Sequence, residues 1–448
     1  MMRHVASVAI GLLVIAIGVN CGGAGSSEMS TSTPVPDACL GQTPPPAPAP
    51  LSRAKRRFVM KTPIRGLIDL GQVSADDMQV PPPNTLYYAC RRQSAISGIV
   101  VNDTWSDLQP NSPEQSIDTS AIDAALATVA RYNQTPGRAL GVRLRIWAGI
   151  DAPDWAKSIG GAPIQICDQD AVPTQPQKST ERTTQPQATP TPCPSVAVRT
   201  VGRFWSGAYD APWRRLQAQL AKKYDADPVV NEVSVSSCSS LTSEPFVQPE
   251  DGFSQQNLTA AGYTDARYRR CLATAIAHDY EPYWNQTLVD YSFNPFREID
   301  AKPPATDLVF TEATINSCRA AIGNRCVLLN ETMGKFTPPP SPQPSSTPSL
   351  AADYYAMWNY MKSRGGNLAF QTASPPNLLL AWMTNRAGWD AAVSLAASYG
   401  AGSLELFPPK QPGPACATAT RKWVAGYTCF SKRLLAKWKG AITTGVNP

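Results

Sequence analysis

The chain has 448 residues and a net charge of +6, and roughly 390 residues follow an N-terminal linker without a second break in composition. Its basic residues are scattered rather than striped. The Ala54-Lys55-Arg56-Arg57 cluster reads as a solvated or membrane-proximal patch, so no nucleic-acid partner is expected. Only two histidines occur, and His4 falls in the leader, which argues against Ser-His-Asp, Cys-His and zinc chemistry and leaves carboxylates to carry any reaction.

At the N-terminus Arg3 forms a short basic region, and Val5 to Val19 is almost wholly apolar, too short to be a comfortable permanent membrane span. Residues 1–20 are therefore expected to be an export signal. Asn20-Cys21-Gly22-Gly23 follows, and a Ser/Thr/Pro-rich linker is expected over 21–55. A cysteine placed after such a run, with a flexible tether behind it, resembles a bacterial lipoprotein signal. That resemblance implies lipidation at Cys21 and a membrane-tethered protein at the cell surface. Ordinary cleavage nearby, releasing a secreted protein, is the alternative.

Setting Cys21 aside leaves ten of the 11 cysteines, an even set that reads as a disulfide framework in an exported chain. Proximity along the chain suggests Cys39–Cys90, Cys167–Cys193, Cys238–Cys271, Cys318–Cys326 and Cys416–Cys429. Cys238 and Cys326 lie in apolar, strand-like runs and could equally be buried free thiols.

From 56 to 448 the pattern alternates short β-favouring runs with amphipathic helices. The strand candidates are Gly66–Gly71, Ile96–Asn102, Val142–Gly149, Val229–Ser236, Thr287–Phe293, Cys326–Asn330, Asn367–Thr372 and Ser403–Phe407. The first is the least distinct, and Leu86–Cys90 competes with it. Helices are expected from Asp118 or Thr119, with Ile122, Leu126 and Val129 on one face, and through Trp213, Leu216 and Leu220. Others are expected over Thr259–Tyr283, Asp307–Ile322, Ala351–Met361 and Trp389–Tyr399. Gly365-Gly366 and Gly400 mark helix ends. His278, with no second ligand at i+4, reads as a helix-surface residue. Low-complexity stretches at about 168–197 and 335–350 read as surface insertions, the first stapled if Cys167 and Cys193 pair. Eight strands alternating with helices predict an α/β fold, a (β/α)₈ TIM barrel with loop insertions.

Function in such a barrel sits where strands end. Those ends carry Asn102-Asp103-Thr104-Trp105, Arg145-Ile146-Trp147 running on to Asp151 and Trp155, Ser243-Glu244-Pro245, Tyr291-Ser292-Phe293-Asn294, Asn330-Glu331, Gln371 and Glu405. Aromatic faces suit sugar C–H groups, while amides and carboxylates suit hydroxyls. Trp105, Trp147, Asp151, Asn294, Gln371 and Glu405 are the candidate substrate-binding residues; core packing is the competing role for each tryptophan.

Gly98-Ile99-Val100-Val101 leading to Trp105, then Leu108-Gln109-Pro110, and Val142-Arg143-Leu144-Arg145 leading to Ala152-Pro153-Asp154-Trp155, resemble the first half of (β/α)₈ glycoside hydrolases. The similarity is to retaining families with an acid/base glutamate on strand four, the clan of β-galactosidases and cellulases. It implies Glu244 as acid/base and a nucleophile at the end of strand seven, where this chain has Gln371. Glu331 or Glu405 must then substitute, and Glu244 with Glu331 is the preferred catalytic pair, Glu331 serving as nucleophile or base. Glu232, near the start of strand four, faces the wrong end. The expected function is hydrolysis of glycosidic bonds in an extracellular glycan or polysaccharide, without metal or cofactor. The alternative is a glycan-binding surface lipoprotein that has lost catalysis. The sequons at Asn102, Asn133, Asn257, Asn285 and Asn330 read as accidental, since two of them would block the proposed mouth.

Overall fold

The structure is a computed structural model that describes residues 59–70, 95–168, 193–247, 251–300, 305–334, 350–373, 386–406 and 432–445. Eight strands close a parallel barrel: β1 Gly66–Asp69, β2 Ile96–Thr104, β3 Gly141–Trp147, β4 Val230–Ser234, β5 Leu288–Ser292, β6 Cys326–Met333, β7 Asn367–Thr372 and β8 Ser403–Leu406. Neighbours pair in chain order, and β1 closes on β8 with Gly66 opposite Ser403 and Asp69 opposite Leu406. All eight expected strands are present, and β1 is Gly66–Asp69. The competing Leu86–Cys90 lies outside the described residues.

Among the described residues the longer helices are α1 Ser120–Asn133, α2 Gly207–Tyr224, α3 Asp265–Ala275, α4 Leu308–Ile322, α5 Leu350–Arg364, α6 Arg386–Ser398 and α7 Lys432–Thr444. Ile122, Leu126 and Val129 form the buried stripe of α1, as their spacing predicts. Its N-cap is Thr119, but the side chain that accepts the backbone N–H of Ser120 is Asp118, at 2.9 Å. The single helix expected over Thr259–Tyr283 is instead broken. A short helix, Gly252–Ala260, ends before Gly262 at φ +89°, and Thr264 caps a fresh start at α3, accepting from Arg267 N. α3 then runs into a π-helical turn, Ile276–Tyr280, with His278 exposed on it.

Side chains alternate across each strand. Outward residues such as Ile99, Val142, Leu144, Val233, Tyr291, Leu328, Phe370 and Leu404 build the main core between barrel and helices. Inward residues form two small separate apolar clusters, Ile64, Ile68, Leu70 and Val100 on one side and Leu288, Val327, Leu329 and Ala369 on the other. The rest of the interior is polar.

Among the described residues three disulfides are present: Cys167–Cys193, Cys238–Cys271 and Cys318–Cys326. Cys238 and Cys326 are therefore not free thiols. Cys39–Cys90 and Cys416–Cys429 lie outside the described residues, as do Cys21 and the expected signal and linker. The Cys167–Cys193 bridge closes the base of the first insertion, beside an antiparallel pair of Ile164–Cys167 with Val198–Val201. Closing a loop of that length stabilises by about 3 kcal/mol in the chain-entropy account. Among the described residues no helix is long and apolar enough to cross a membrane.

Candidate active site

The polar interior is organised by two arginines on alternate positions of β3. Val142, Leu144 and Ile146 face the helices, so Arg143 and Arg145 must point into the barrel, where both are fully buried. Arg143 donates from Nε to Glu232 Oε2 at 2.8 Å and also bonds Glu405 across the barrel, since β8 lies three strands away from β3. Glu232 Oε1 accepts the backbone N–H of Ile64 at 2.9 Å, which ties this carboxylate to the N-terminal end of the barrel. It faces away from the mouth, as its place in β4 predicts.

One layer up, Arg145 Nη2 donates to Glu405 at 2.8 and 3.1 Å, and its other nitrogens reach Ser234 Oγ at 3.3 Å and Gln371 Oε1 at 3.5 Å. Ser234 passes the bond to Asp290 Oδ1 at 3.0 Å. Glu331 stands 3.6 Å from the same Arg145 nitrogen. Two guanidinium groups thus face four carboxyls: Glu232, Glu405, Asp290 and Glu331. Burial pushes Asp290 up to about 6, against the pull of Arg143 and Arg145. Glu331 is affected more strongly. Burial holds its carboxyl well above the usual range, Arg145 opposes this, and the charges of Glu244, Glu405 and Asp290 add to it.

Glu244 approaches from the loop after β4 and lies 9% exposed. Asn294 Nδ2 donates to its Oε2 at 2.5 Å and Ser292 Oγ lies 3.3 Å from the same atom, so β5 and its loop hold this carboxylate. The β4 loop is itself tightly fixed. Tyr280 OH accepts from Ser236 N, Tyr268 OH donates to Cys238 O, and Cys238 is bridged to Cys271 on α3. Ser240 O accepts from Ile150 N at 2.9 Å, and a Cβ on Gly149 would stand 2.1 Å from that oxygen. Only glycine lets the β3 and β4 loops approach so closely.

At the C-terminal end of the barrel Glu331 and Gln371 stand beside Arg145, and Glu244, held by Asn294, is close enough to Glu331 for their charges to interact. The structure does not bring every expected residue there. Trp105 has no exposed surface; it packs edge-on against Trp155, Tyr209 and Trp213 behind the barrel, and so presents no face to a sugar. Glu405 is also removed from the substrate-binding set, because it is completely buried and occupied by Arg143 and Arg145. Asp151, pushed up to about 6 by burial, has its charge environment set by Lys157, Asp107, Arg199 and Asp168 rather than by the paired glutamates. Trp147 remains partly exposed and donates to Asn102 Oδ1 at 3.1 Å. The sequon residues Asn102 and Asn330 are both buried and hydrogen-bonded.

Arg143, Arg145, Asp290 and Ser292 belong to this site but were not among the candidate catalytic or binding residues. The signal for the first two was present: charged residues alternating with Val142, Leu144 and Ile146 in a strand must face either water or the barrel axis.

Fold and site together define a (β/α)₈ barrel whose C-terminal mouth holds two glutamates from different strands in contrasting surroundings. Solved structures of similar fold include the catalytic domain of a β-amylase from Paenibacillus polymyxa, with a TM-score of 0.44 and 11% identity, covering 78% of this chain and 92% of that one. Another is endo-glycoceramidase II from Rhodococcus sp., at 0.40 and 13%, covering 80% and 77%. An endoglucanase from Pseudomonas stutzeri follows at 0.34 and 13%, covering 78% and 83%. No protein-family model and no curated protein matches the sequence.

Proposed function

We propose that this chain is an exported glycoside hydrolase that cleaves glycosidic bonds of an extracellular glycan with Glu244 and Glu331. The observation that carries this reading is the contrast between the two carboxyls. Glu331 is enclosed with other acids, and burial raises its pKa well above the usual carboxylate range, which favours the protonated form. Glu244 receives an amide N–H and a hydroxyl, donors that favour a negative charge. Glycoside hydrolysis requires one carboxyl of each kind flanking the bond.

Glu331 then gives its proton to the glycosidic oxygen as the C–O bond breaks. Glu244 either attacks the anomeric carbon or takes a proton from the attacking water. This reverses the roles expected from the sequence, on electrostatic grounds. In this reading Trp147, Asn294 and Gln371 line the sugar-binding surface. The leader and the disulfides support export, with Cys21 as the proposed point of lipid attachment at the cell surface.

A second reading is favoured by Gln371, which stands where the resembled clan has its nucleophile: a barrel that binds glycans and does not cut them. Reducing-sugar release across a polysaccharide panel separates the two. Glu244→Gln and Glu331→Gln are each expected to lower kcat on polysaccharides at least 10³-fold, in line with the loss of a general acid or nucleophile. On dinitrophenyl glycosides, whose leaving group needs no proton, Glu331→Gln is expected to retain most activity and Glu244→Gln to lose it. Full polysaccharide activity in Glu244→Gln would remove that residue from the mechanism. Glycan binding without cleavage by the wild type would establish the second reading.

A further inference from the structure

Beyond the paired glutamates, the hydrogen bonds behind Glu244 have a direction that can be read outward to helix α5. Trp358 on α5 has an indole N–H that can only donate, and it donates to Asn330 Oδ1 at 2.9 Å. Thr332 adds its backbone N–H at 3.2 Å and its hydroxyl at 2.7 Å to the same oxygen. With its oxygen so engaged, Asn330 must turn its Nδ2 the other way. That nitrogen donates to Phe293 O at 2.8 Å and lies 3.4 Å from Asn294 Oδ1.

Asn294 inherits its orientation in turn. Its Oδ1 accepts from Tyr354 OH at 2.9 Å, and flipping the amide would set its NH₂ against that of Asn330. Asn294 Nδ2 is therefore turned toward Glu244, which it meets at 2.5 Å. Tyr354 and Trp358 lie four residues apart, on one face of α5, and both are buried.

We propose that α5 positions the Glu244 carboxylate through this directional chain, with Tyr354, Asn294 and Asn330 as positioning residues and Trp358 as its origin. The inference rests on the reading that Glu244 reacts. It assigns α5, rather than only the β4 and β5 loops, control over that residue. Removing a donor anywhere along the chain weakens the stabilisation of negative charge on Glu244, so the active, ionised form is lost at a higher pH.

The test uses dinitrophenyl glycosides, on which the rate reports on Glu244 independently of the acid. Tyr354→Phe is expected to lower kcat about tenfold with KM changed less than twofold, and to move the acidic limb of the pH profile to higher pH. Asn294→Ala is expected to lower kcat and move the limb more strongly, and also to raise KM, because Asn294 lines the proposed sugar-binding surface as well. Trp358→Phe, which touches neither Glu244 nor Asn294, is expected to move the limb in the same direction by less. Folded Tyr354→Phe and Asn294→Ala proteins with the wild-type kcat and acidic limb would overturn the chain, while leaving the proposed function standing. Full activity in Glu244→Gln would instead overturn the proposed function. Should the wild type cleave nothing, the side-chain amide resonances of Asn294 provide the measurement. They are expected to move as Glu244 titrates and to shift in Tyr354→Phe; insensitivity to both would overturn the proposal.

Discussion

Arg143 and Glu331 show how differently two buried charged residues can contribute to one barrel. Arg143 is matched by Glu232 and Glu405, and its removal would leave Glu232 with only the backbone N–H of Ile64 and Glu405 with Arg145 alone to balance it. Breaking such a pair costs about 3–5 kcal/mol. Arg143→Met is thus expected to lower stability by that order in chemical denaturation. Glu331 is the opposite case, an acid crowded by other acids. Its pKa is raised in the folded state, so its contribution to stability is present at low pH and lost as pH rises. Glu331→Gln, which keeps the shape of the protonated acid, is expected to match or exceed wild-type thermal stability, with an advantage that grows with pH. A fall in stability comparable to that of Arg143→Met would show that Glu331 serves the fold rather than the site.

The elements explain why one part of the site was legible and another was not. The strands announced themselves through runs such as Val142–Ile146 and Val327–Leu329, and the caps and glycines placed most helix ends. The break within 259–283 was harder, because Gly262 and Thr264 interrupt an otherwise helical pattern for just long enough to start a new helix. Glu244 could be proposed from its position after β4, but its surroundings could not. Ser292, Asn294 and Tyr354 meet it from 48, 50 and 110 residues away, respectively or through Asn294. The β4 loop also depends on Cys238, which adopts φ +63°, the only non-glycine among the described residues to do so. Two effects oppose each other there: a left-handed residue costs about 1–2 kcal/mol, and the bridge to Cys271 contributes about 2–4 kcal/mol. Replacing both cysteines by alanine is expected to lower the melting temperature and the activity together. Cys238→Gly with Cys271→Ala should recover about 1 kcal/mol of the stability. Equal stability of the two double variants would show that the backbone strain is relieved once the bridge is gone.

For the molecule as a whole, the same burial that poises Glu331 recurs at several acids around the barrel. Asp279, on the π-helical turn beside Asp210, is pushed up to about 9, chiefly by burial. Burial likewise lifts Asp103 to about 7 and Asp290 and Asp151 to about 6. In the unfolded chain these groups titrate near the ordinary carboxylate value of about 4. Between about pH 4 and pH 8 the folded protein therefore binds more protons than the unfolded one, and stability must fall as pH rises. Asp118 and Asp307, held low by hydrogen bonds at helix starts, act in the opposite sense, but only as pH drops below about 4. Stability is thus expected to peak near pH 4–5, on the acid side of the usual range. Asp279→Asn isolates the most strongly lifted of these aspartates. It is expected to raise the melting temperature at pH 8 and to change it far less at pH 4, where the folded group is protonated and the unfolded one about half so. A melting curve followed across that range by circular dichroism decides the matter, since equal shifts at pH 4 and pH 8 would assign the effect to packing rather than to the buried proton.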